Sequence, residues 1–487
     1  MDTKALRQKI LDLAIHGKLV PQDPNDEPAS VLLERIKAEK ERLIKEGKIK
    51  RSKKSAESSD TPHYENVPFE VPSSWVWCRL EDIAYVASGS TPDKTCFVEN
   101  GVPYIKMYNL RNQKIDFAYH PQYITEEVHN GKLQRSRTEV GDLIMNIVGP
   151  PLGKLAIIPT TLPQANFNQA AVLIRPYKFK EVLVSYLKVY LEEMSEINSI
   201  ATRGSAGQVN ISLTQSQNMR IPIPPLNEVR RIIEEVSKYD ILIDSLKQNI
   251  TDIQNLIAYT KSKILDLAIH GKLVLQDPND EPAIELLKRI NPDFTPCDNG
   301  HYTFDVPSGW ITTNLGSIFN VVSAKRILKS DWKHSGVPFY RAREIAKLSI
   351  YGLVDNELYI SEEHYNSLKE KFPVPKASDI MISAVGTIGK CYIVKESDKF
   401  YYKDASVLCL CNDYQISAKY IYHIMRSEYM LKQMYDNSKG TTVDTITIEK
   451  AKQYILPLPP LAEQQRIVAK IEETFSIFDG IQNSLEA

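Results

Sequence analysis

The sequence is poor in several features that mark particular classes of protein. It has six cysteines among 487 residues and no Cys-x-x-Cys pair, so we expect no disulfide framework. No apolar run approaches the ~18 residues of a membrane-spanning helix. The formal net charge is −1, so the chain lacks the basic excess of many nucleic-acid binders. Positive charge that contacts nucleic acid must therefore be local or come from partners.

The amino terminus is also uninformative as a targeting signal. Met1–Lys9 is charged and lacks the apolar core of a secretory signal. Together with the sparse cysteines, this predicts a cytoplasmic protein with no membrane contact. The chain has the composition of a globular protein, with 43% hydrophobic and 25% charged residues. Its length predicts roughly two to four domains.

What the sequence does contain is an internal repeat. Lys9–Ala29 and Lys263–Ala283 differ at only one of 21 positions and lie 254 residues apart. A second set of matches lies 235 residues apart, for example Val71–Trp75 with Val306–Trp310. The two offsets differ because the linker in the first copy is 19 residues longer. The chain is therefore built from two related halves.

The two offsets nearly close this repeat into a circle. The second offset makes Ala487 equivalent to Asp252, and the first makes Met1 equivalent to Asn255. The chain is thus cut inside one repeated element. We expect Met1 and Ala487 to lie close together and to complete one copy of that element between them.

The uncut copy of this element is predicted to be a long helix. Apolar residues recur at alternating spacings of three and four, which is typical of a coiled coil. The predicted seam consists of Ile232, Val236, Tyr239, Ile243, Leu246, Ile250, Ile253, Ile257, Ile264 and Leu267. His270 and Gly271 are expected to end the helix, as His16 and Gly17 do in the other copy. A short helix is expected to follow in each copy, at Ala29–Ile36 and Ala283–Ile290.

We predict an α+β fold with a circular pseudo-two-fold repeat. Two globular α/β domains are separated by two long antiparallel coiled-coil helices, since each globular segment leaves the end of one helix and enters the start of the other. The predicted segments are an N-terminal helical region with a basic linker (1–62), a first head (63–222), a central coiled coil (223–299), a second head (300–457) and a C-terminal helix (458–487) that pairs with the N-terminal region.

The two heads share framework motifs, but the stretches between those motifs differ from one head to the other. This difference indicates an asymmetric target in two parts, such as duplex DNA. Base readout favours Arg or Lys for guanine and Asn or Gln for adenine. The candidate DNA contacts in the first head are Lys106, Tyr108, Asn109, Arg111, Asn112, Lys114, Arg203 and Gln208. Those in the second head are Lys325, Arg326, Arg341, Arg343, Lys347, Lys439 and Thr441. The alternative interpretation of these residues is solvated polar loops and plain turns.

Several motifs resemble the specificity subunits of type I restriction-modification enzymes. They are the duplicated KILDLAIHGKLVPQDPNDEPA segment, the Pro-Pro-Leu-x-Glu-x-x-Arg-Ile helix starts at Leu226 and Leu461, and the Ser88–Pro92 loop. The resemblance covers essentially the whole chain. The second head departs from it, because Ser323–Arg326 replaces the Ser88–Pro92 loop, so the resemblance does not imply one contact role for both loops.

The resemblance implies that each head is a target-recognition domain that reads one half of a bipartite double-stranded DNA site. It also implies that the helices dock two modification subunits, which methylate adenine N6 with S-adenosylmethionine. Two restriction subunits, which use ATP and Mg, complete the implied complex. No catalytic residue, metal or cofactor is implied for this chain itself.

Two other classes of protein fit parts of the sequence. A coiled-coil scaffold whose heads bind proteins would carry the same seam, and salt- and sequence-dependent DNA binding would distinguish the two functions. An enzyme is disfavoured, because Gly149–Leu155 is too short for a P-loop and lacks the Ser or Thr after lysine. We interpret that segment, and its partner at Gly386–Cys391, as tight turns. The nine histidines are scattered, which disfavours a zinc site.

Overall fold

The computed structural model describes residues 2–50, 67–149, 152–197, 210–292, 294, 305–352, 354–436 and 444–486. The chain divides into an N-terminal unit, Asp2–Asn249, and a C-terminal unit, Ile250–Ala487. Within the described ranges, none of the helices has the length and apolar character that crossing a membrane requires. The expected proximity of Met1 and Ala487 concerns two residues outside these ranges and stays a prediction.

The N-terminal unit combines helices with two four-stranded sheets. Its helices are α1 (Thr3–Ile15), α2 (Ala29–Lys45), α3 (Leu80–Ile83), α4 (Glu126–Asn130), α5 (Lys180–Ile197), α6 (Leu213–Gln217) and α7 (Leu226–Ile269), of which α7 continues into the C-terminal unit. Its strands are β1 (Val76–Arg79), β2 (Ala84–Ser88), β3 (Phe97–Val98), β4 (Val102–Ile105), β5 (Leu110–Arg111), β6 (Lys114–Ile115), β7 (Tyr123–Ile124), β8 (Leu143–Asn146), β9 (Leu155–Ile157), β10 (Asn166–Phe167), β11 (Ala171–Pro176) and β12 (Arg220–Ile223). The strand orders are β2-β11-β8-β9, which is antiparallel, and β10-β4-β7-β3, in which β10 and β4 are parallel.

The C-terminal unit repeats this plan. Its remaining helices are α8 (Ala283–Ile290), α9 (Leu315–Ile318), α10 (Ala342–Tyr351), α11 (Glu362–Lys371), α12 (Ala418–Met425), α13 (Glu428–Asp436), α14 (Ile448–Lys452) and α15 (Leu461–Glu486). Its strands are β13 (Ile311–Asn314), β14 (Asn320–Ser323), β15 (Val337–Tyr340), β16 (Tyr359–Ile360), β17 (Ile380–Ser383), β18 (Cys391–Ile393), β19 (Tyr401–Tyr402), β20 (Val407–Cys411) and β21 (Ile455–Leu458). The antiparallel sheet β14-β20-β17-β18 matches β2-β11-β8-β9, and β19-β15-β16 matches β10-β4-β7. The predicted α+β class with a repeated domain is confirmed.

The antiparallel sheet of each unit is buried on both faces. Successive strand residues point to opposite sides of a sheet, and every residue of β8 and β17 is buried. In β8, Leu143 and Met145 join the core that contains α5, whereas Ile144 joins a second core with Ile105 of β4. In β17, Ile380 and Ile382 join the core that contains α12, while Met381 faces α10. The second face therefore carries α10 in the second head and the segment around β4 and β5 in the first.

Each unit contains an antiparallel helix pair, as the seam predicts. In the N-terminal unit, Arg7 of α1 binds Asp240 of α7, and Gln22 binds Glu228 nearer the start of α7. In the C-terminal unit, Lys261 of α7 pairs with Asp479 of α15. Gln276, further along the chain, binds Glu463 near the start of α15. In each unit, later residues of one segment contact earlier residues of its partner helix, so the two run antiparallel.

The predicted seam is buried or half-buried at eight of its ten positions and wrong at two. Ile232, Val236, Ile243, Ile257 and Ile264 are buried, and Tyr239, Leu246 and Ile250 are half-buried. Ile253 and Leu267 are instead 38% and 40% exposed. Near the end of α7 the buried stripe passes to Leu265, Ala268 and Ile269. A straight helix with 3.6 residues per turn drifts by ~20° per heptad, so a strict heptad pattern leaves the buried face.

The duplicated segment ends its helix in the same way in both units. His16 and His270 each place Nδ1 2.7 Å from a backbone oxygen four residues earlier, which supports the predicted capping role. Gly17 and Gly271 follow with φ of 65° and 63°. A Cβ on Gly17 would lie 2.5 Å from Cγ of Pro72, and a Cβ on Gly271 would lie 2.3 Å from Cγ of Pro307. The repeated glycine is thus required by the close approach of Pro72 or Pro307.

The predicted short helices have different lengths. α8 ends at Ile290 as predicted, but α2 continues to Lys45, so the expected end at Ile36 is wrong. The residues that follow Ile36 are strong helix formers, and Arg42 pairs with Glu39 and Glu46 on one face of the helix. The first nine residues of the expected basic linker are therefore helical.

Candidate nucleic-acid interface

The candidate contacts of the first head lie on a β-hairpin that follows β4. A short 3₁₀ turn, Met107–Asn109, leads into β5, and β5 pairs with β6 around Asn112 and Gln113. Asn112 and Gln113 both have positive φ, 49° and 56°, as a two-residue type I′ turn requires. Asparagine tolerates this conformation well, so the local sequence favours a tight turn here.

The hairpin is held against the antiparallel sheet and borders a concave surface. The Gln113 side chain accepts a hydrogen bond of 2.7 Å from the backbone amide of Leu155 in β9. The adjoining concavity has a volume of about 560 Å³. It is lined by Tyr108, Leu110, Arg111, Asn112, Gln113, Tyr119 and Lys154. Its lining thus combines two cations, amide groups and aromatic rings.

Aromatic rings and a cation are stacked at the rim of this concavity. The Arg111 guanidinium carbon lies 3.9 Å from the ring centre of Tyr119, and the side chain is also 3.7 Å from Asp116. The ring centre of Tyr119 lies 4.5 Å from that of His120, and Tyr119 is 40% exposed. The Tyr119 ring therefore holds the Arg111 guanidinium at the rim by a cation–π contact.

Asn109 is the clearest correction among the predicted contacts. It is fully buried, and its side-chain oxygen accepts a hydrogen bond of 2.9 Å from the amide of Lys106. Its side-chain nitrogen donates to the carbonyl oxygens of Asp116 and Tyr119, at 3.1 and 2.7 Å. No part of the amide is left for a base edge, so Asn109 is a structural residue that shapes the hairpin.

The other described candidates of the first head remain on or near the surface. Arg111, Asn112 and Lys114 are exposed, while Lys106 and Tyr108 are half-buried. The Lys106 ammonium lies 5.5 Å from the ring centre of Phe97. The Tyr108 hydroxyl donates to the carbonyl of His120 at 3.2 Å, and burial raises its pKa. These five residues stay predictions.

The second head replaces the hairpin with helix α10. The amide of Arg341 donates to the Glu344 carboxylate at 3.0 Å, and the Arg341 guanidinium binds the same carboxylate at 2.9 and 3.0 Å. Arg343 pairs with both Glu344 and Glu357. Burial would raise the pKa of Glu344, but hydrogen bonds from Arg341 and Arg343 outweigh it and hold the pKa below its usual value.

The ion pairs of α10 revise the prediction for its two arginines. Arg341 is committed to capping α10 and to neutralising a buried carboxylate, so its assignment to base readout is wrong. Arg343 is half-exposed and stays a candidate, although reading a base would require it to leave two carboxylates.

Lys325, Arg326 and Lys347 are exposed cations of the second head and stay candidates. The Lys325 ammonium lies 5.7 Å from the ring centre of Phe372, which again places a cation beside an aromatic ring. The remaining candidates, Arg203, Gln208, Lys439 and Thr441, lie outside the described residues.

Sequence reasoning missed Tyr119, His120 and Lys154 at the first concavity. Tyr119 and His120 follow the hairpin by a few residues, so an exposed aromatic pair after a turn was the available signal. Lys154 belongs to the turn beside β9, and only the fold brings it to the hairpin. The positive φ of Gly149, Gly153, Gly386 and Gly389 supports the interpretation of both segments as turns, although residues 150 and 151 lie outside the described residues.

Two related α+β heads joined to antiparallel helix pairs, with different basic and aromatic surfaces on a common framework, define a class of proteins with two related domains whose surfaces differ. The family model described as "Type I restriction modification DNA specificity domain" matches residues 72–255 and 307–487. The chain therefore belongs to this family of type I restriction-modification specificity subunits. The specificity subunit is the non-catalytic component of these systems, so the chain is not itself an enzyme.

Whole-chain relatives support the same assignment. The chain is 28% identical to the type I restriction enzyme EcoEI specificity subunit of Escherichia coli, over 99% of this chain and 91% of that protein. It is 29% identical to the EcoAI specificity subunit of the same species, over 96% and 88%. A chain from a structure on complex assembly and conformational transition of the type I restriction-modification system is similar in fold, with a TM-score of 0.56. That match has 19% identity and covers 86% of this chain and 94% of the other.

Proposed function

We propose that each head reads one half of an asymmetric, bipartite double-stranded DNA target. The observation that carries this proposal is the substitution of a hairpin by helix α10 on the same sheet face of two otherwise matched heads. A common scaffold with two different contact surfaces is what two unlike half-sites require. Direct readout of base edges by exposed cations is available on the first head.

In the first head, the proposed contacts are the hairpin and its concavity. Arg111, Asn112 and Lys114 lie at the exposed end of the hairpin, and Tyr119 and Lys154 line the recess beside them. In the second head, the exposed cations Lys325, Arg326, Arg343 and Lys347 have the corresponding role. Since the net charge is −1, we propose that partner subunits supply much of the phosphate neutralisation.

The helices are proposed to set the spacing between half-sites and to dock the partners. α7 has 44 residues, which corresponds to about 66 Å of helix. It leaves large apolar side chains such as Ile241, Leu242 and Leu256 exposed, and these suit contact with helices of modification subunits. The proposed complex contains two modification subunits that use S-adenosylmethionine and two restriction subunits that use ATP and Mg. We propose that it acts in the cytoplasm.

An exchange of heads tests the division of labour. Methylome sequencing of cells that carry the intact system gives the methylated bipartite motif, and residues 63–222 are then replaced by the equivalent segment of a relative. We expect one half of the motif to change while the other half and the gap stay the same. A change in both halves would contradict the proposal, and binding of a protein instead of DNA would favour the scaffold alternative.

A change in helix length tests the spacing role separately. Removing one heptad from α7 together with the equivalent heptad of its repeated partner is expected to alter the gap and to leave both half-sites unchanged. An unchanged gap in a folded, active complex would contradict the spacing role without affecting the proposed division of labour.

A further inference from the structure

A buried carboxylate occupies the same position in both heads but has different neighbours. Asp142 precedes β8 and Asp379 precedes β17, and each accepts a hydrogen bond from the amide three residues earlier, at 2.7 and 2.8 Å. Both residues are buried. The strand pairings Leu143 with Ile174, and Ile380 with Leu410, make Arg175 equivalent to Cys411.

In the first head, the carboxylate is neutralised by an arginine. Arg175 donates to Asp142 at 2.9 and 2.6 Å, and the ammonium of Lys180 lies 2.8 Å from the same carboxylate. A buried carboxylate without a cation is costly, so this pair explains how Asp142 is tolerated. The second head retains the carboxylate but has no arginine at the equivalent position.

A thiol, that of Cys411, lies at the equivalent position, and a second thiol, that of Cys409, lies beside it. Cys409 and Cys411 are two residues apart on β20 and therefore point to the same face of the sheet. Their sulfur atoms are 3.8 Å apart, and the Cys409 sulfur is 3.8 Å from Oδ2 of Asp379. One ligand atom from each of the three residues lies within 4.8 Å of the others, and all three residues are buried.

We propose that Asp379, Cys409 and Cys411 bind a zinc ion, which coordinates the carboxylate directly where the first head pairs it with arginine. A tetrahedral zinc ion with Zn–S distances of about 2.3 Å separates two sulfur ligands by about 3.8 Å. On binding, both thiols lose their protons to solvent and coordinate as thiolates, while the carboxylate supplies an oxygen. The three side chains leave a fourth position for a water molecule.

The carboxylate is already oriented for this role. Its Oδ1 accepts a hydrogen bond of 2.9 Å from the amide of Asn412, and its Oδ2 accepts one from the amide of Lys376. Such outer contacts fix the direction of a metal-binding carboxylate. The surrounding side chains, among them Tyr402 and Met381, are buried and exclude bulk water from the ligands. The bound zinc would tie β20 to the segment before β17 in the second head.

The test uses the full chain, purified without a metal-binding tag, and elemental analysis of its metal content. We expect about one zinc per chain, and we expect Co²⁺ added to chelator-treated protein to produce thiolate-to-cobalt charge-transfer absorption. A folded chain that contains no zinc and gives no such absorption would overturn the proposal. A Cys409–Cys411 disulfide in the protein isolated from cells would also overturn it.

Variants separate this site from other cysteines. Cys411→Arg introduces the residue that the first head uses, so we expect it to lose the zinc and the cobalt absorption but to keep its folded structure. Cys409→Ser is expected to lose the metal as well, and Cys96→Ser, in the first head, is expected to retain it. Zinc that persists in a Cys409→Ser/Cys411→Ser double variant would contradict the assignment. If the variants do not fold, the cobalt titration of the unaltered chain decides.

Discussion

The most informative comparison is between the hairpin of the first head and helix α10 of the second. Both stretches begin alike. The side chains of Asn109 and Glu344 are buried, and each accepts a hydrogen bond from the backbone amide three residues earlier. They then diverge. Asn112 and Gln113 form a tight turn in the first head, whereas Ile345 and its neighbours continue as a helix whose apolar face packs on the sheet.

This difference shows how one framework supports two surfaces. The antiparallel sheet and the antiparallel helix pair are matched in both units, and the variable segment packs on the face of the sheet opposite α5 or α12. Since that segment is short and fixed at its start by a buried side chain, it can change from hairpin to helix without disturbing the framework. The contact surface of a head can therefore change while its attachment to the helices stays the same.

The largest effect is expected from removing the cation that distinguishes the two buried carboxylates. Arg175→Cys gives the first head the residue of the second and leaves Asp142 with Lys180 only. We expect a loss of about 3 kcal/mol in local stability, because the buried Asp142 carboxylate loses its two hydrogen bonds from a charged donor. Hydrogen exchange measures this loss in β8 and β11, with β17 and β20 of the same chain as the internal control. Unchanged protection in the first head would mean that the arginine is not needed there.

Next in size is the loss of stacking at the first head. Tyr119→Ala is expected to weaken binding to the cognate DNA by about 1–3 kcal/mol, since it removes the ring that holds the Arg111 guanidinium, a candidate for base readout. Tyr119→Phe retains the ring and serves as the control. Binding to oligonucleotides altered in one half-site at a time measures the effect, and Lys347→Ala should act on the other half. Equal effects of both changes on the same half-site would contradict the assignment of one surface to each head.

The shared framework should respond equally in the two units. Gly17→Ala and Gly271→Ala are each expected to cost about 2 kcal/mol, because the residues have positive φ and the added Cβ meets the ring of Pro72 or Pro307. Gly47→Ala is the matched control, since Gly47 has φ of 70° but no atom within 4 Å of the added Cβ. Its smaller loss, about 1 kcal/mol, isolates the backbone effect. Urea unfolding measures all three, and unequal losses at Gly17 and Gly271 would show that the repeated contacts differ in strength.

The smallest expected effect is a difference in acid sensitivity. The pKa of Glu344 is lowered in the folded chain, so its stabilising contribution is present above its usual pKa of 4.5 and is lost as the pH falls through the lowered value. We expect Glu344→Gln to remove this pH dependence from the second head. Asn109 has the equivalent place in the first head and does not titrate. Hydrogen exchange of α10 at pH 6 and below 4 measures the change, and an unaltered pH dependence would contradict it.

Much of the fold follows from the sequence, whereas the roles of individual side chains do not. The repeat predicted the matched sheets and helix ends, since nearly identical segments such as Lys9–Ala29 and Lys263–Ala283 make the same contacts. The strict heptad seam was wrong at Leu267 because α7 packs against globular units and its buried stripe shifts. For the interface, the predicted stretches stay candidates for DNA contact, and within them Asn109 and Arg341 proved to be internal.

By itself, the sequence determined the two-fold repeat, the seam of the long helix and the family, because these depend on periodicity and on motifs that are contiguous in the chain. Only the tertiary structure decided which polar residues are available. The Asn109 side chain donates a hydrogen bond to a carbonyl oxygen ten residues away, and Arg343 is paired with Glu357 fourteen residues away. It also brought Asp379 to two cysteines some thirty residues further on. The physical reason is that hydrogen bonds and ion pairs depend on distances in space, which a linear pattern does not contain.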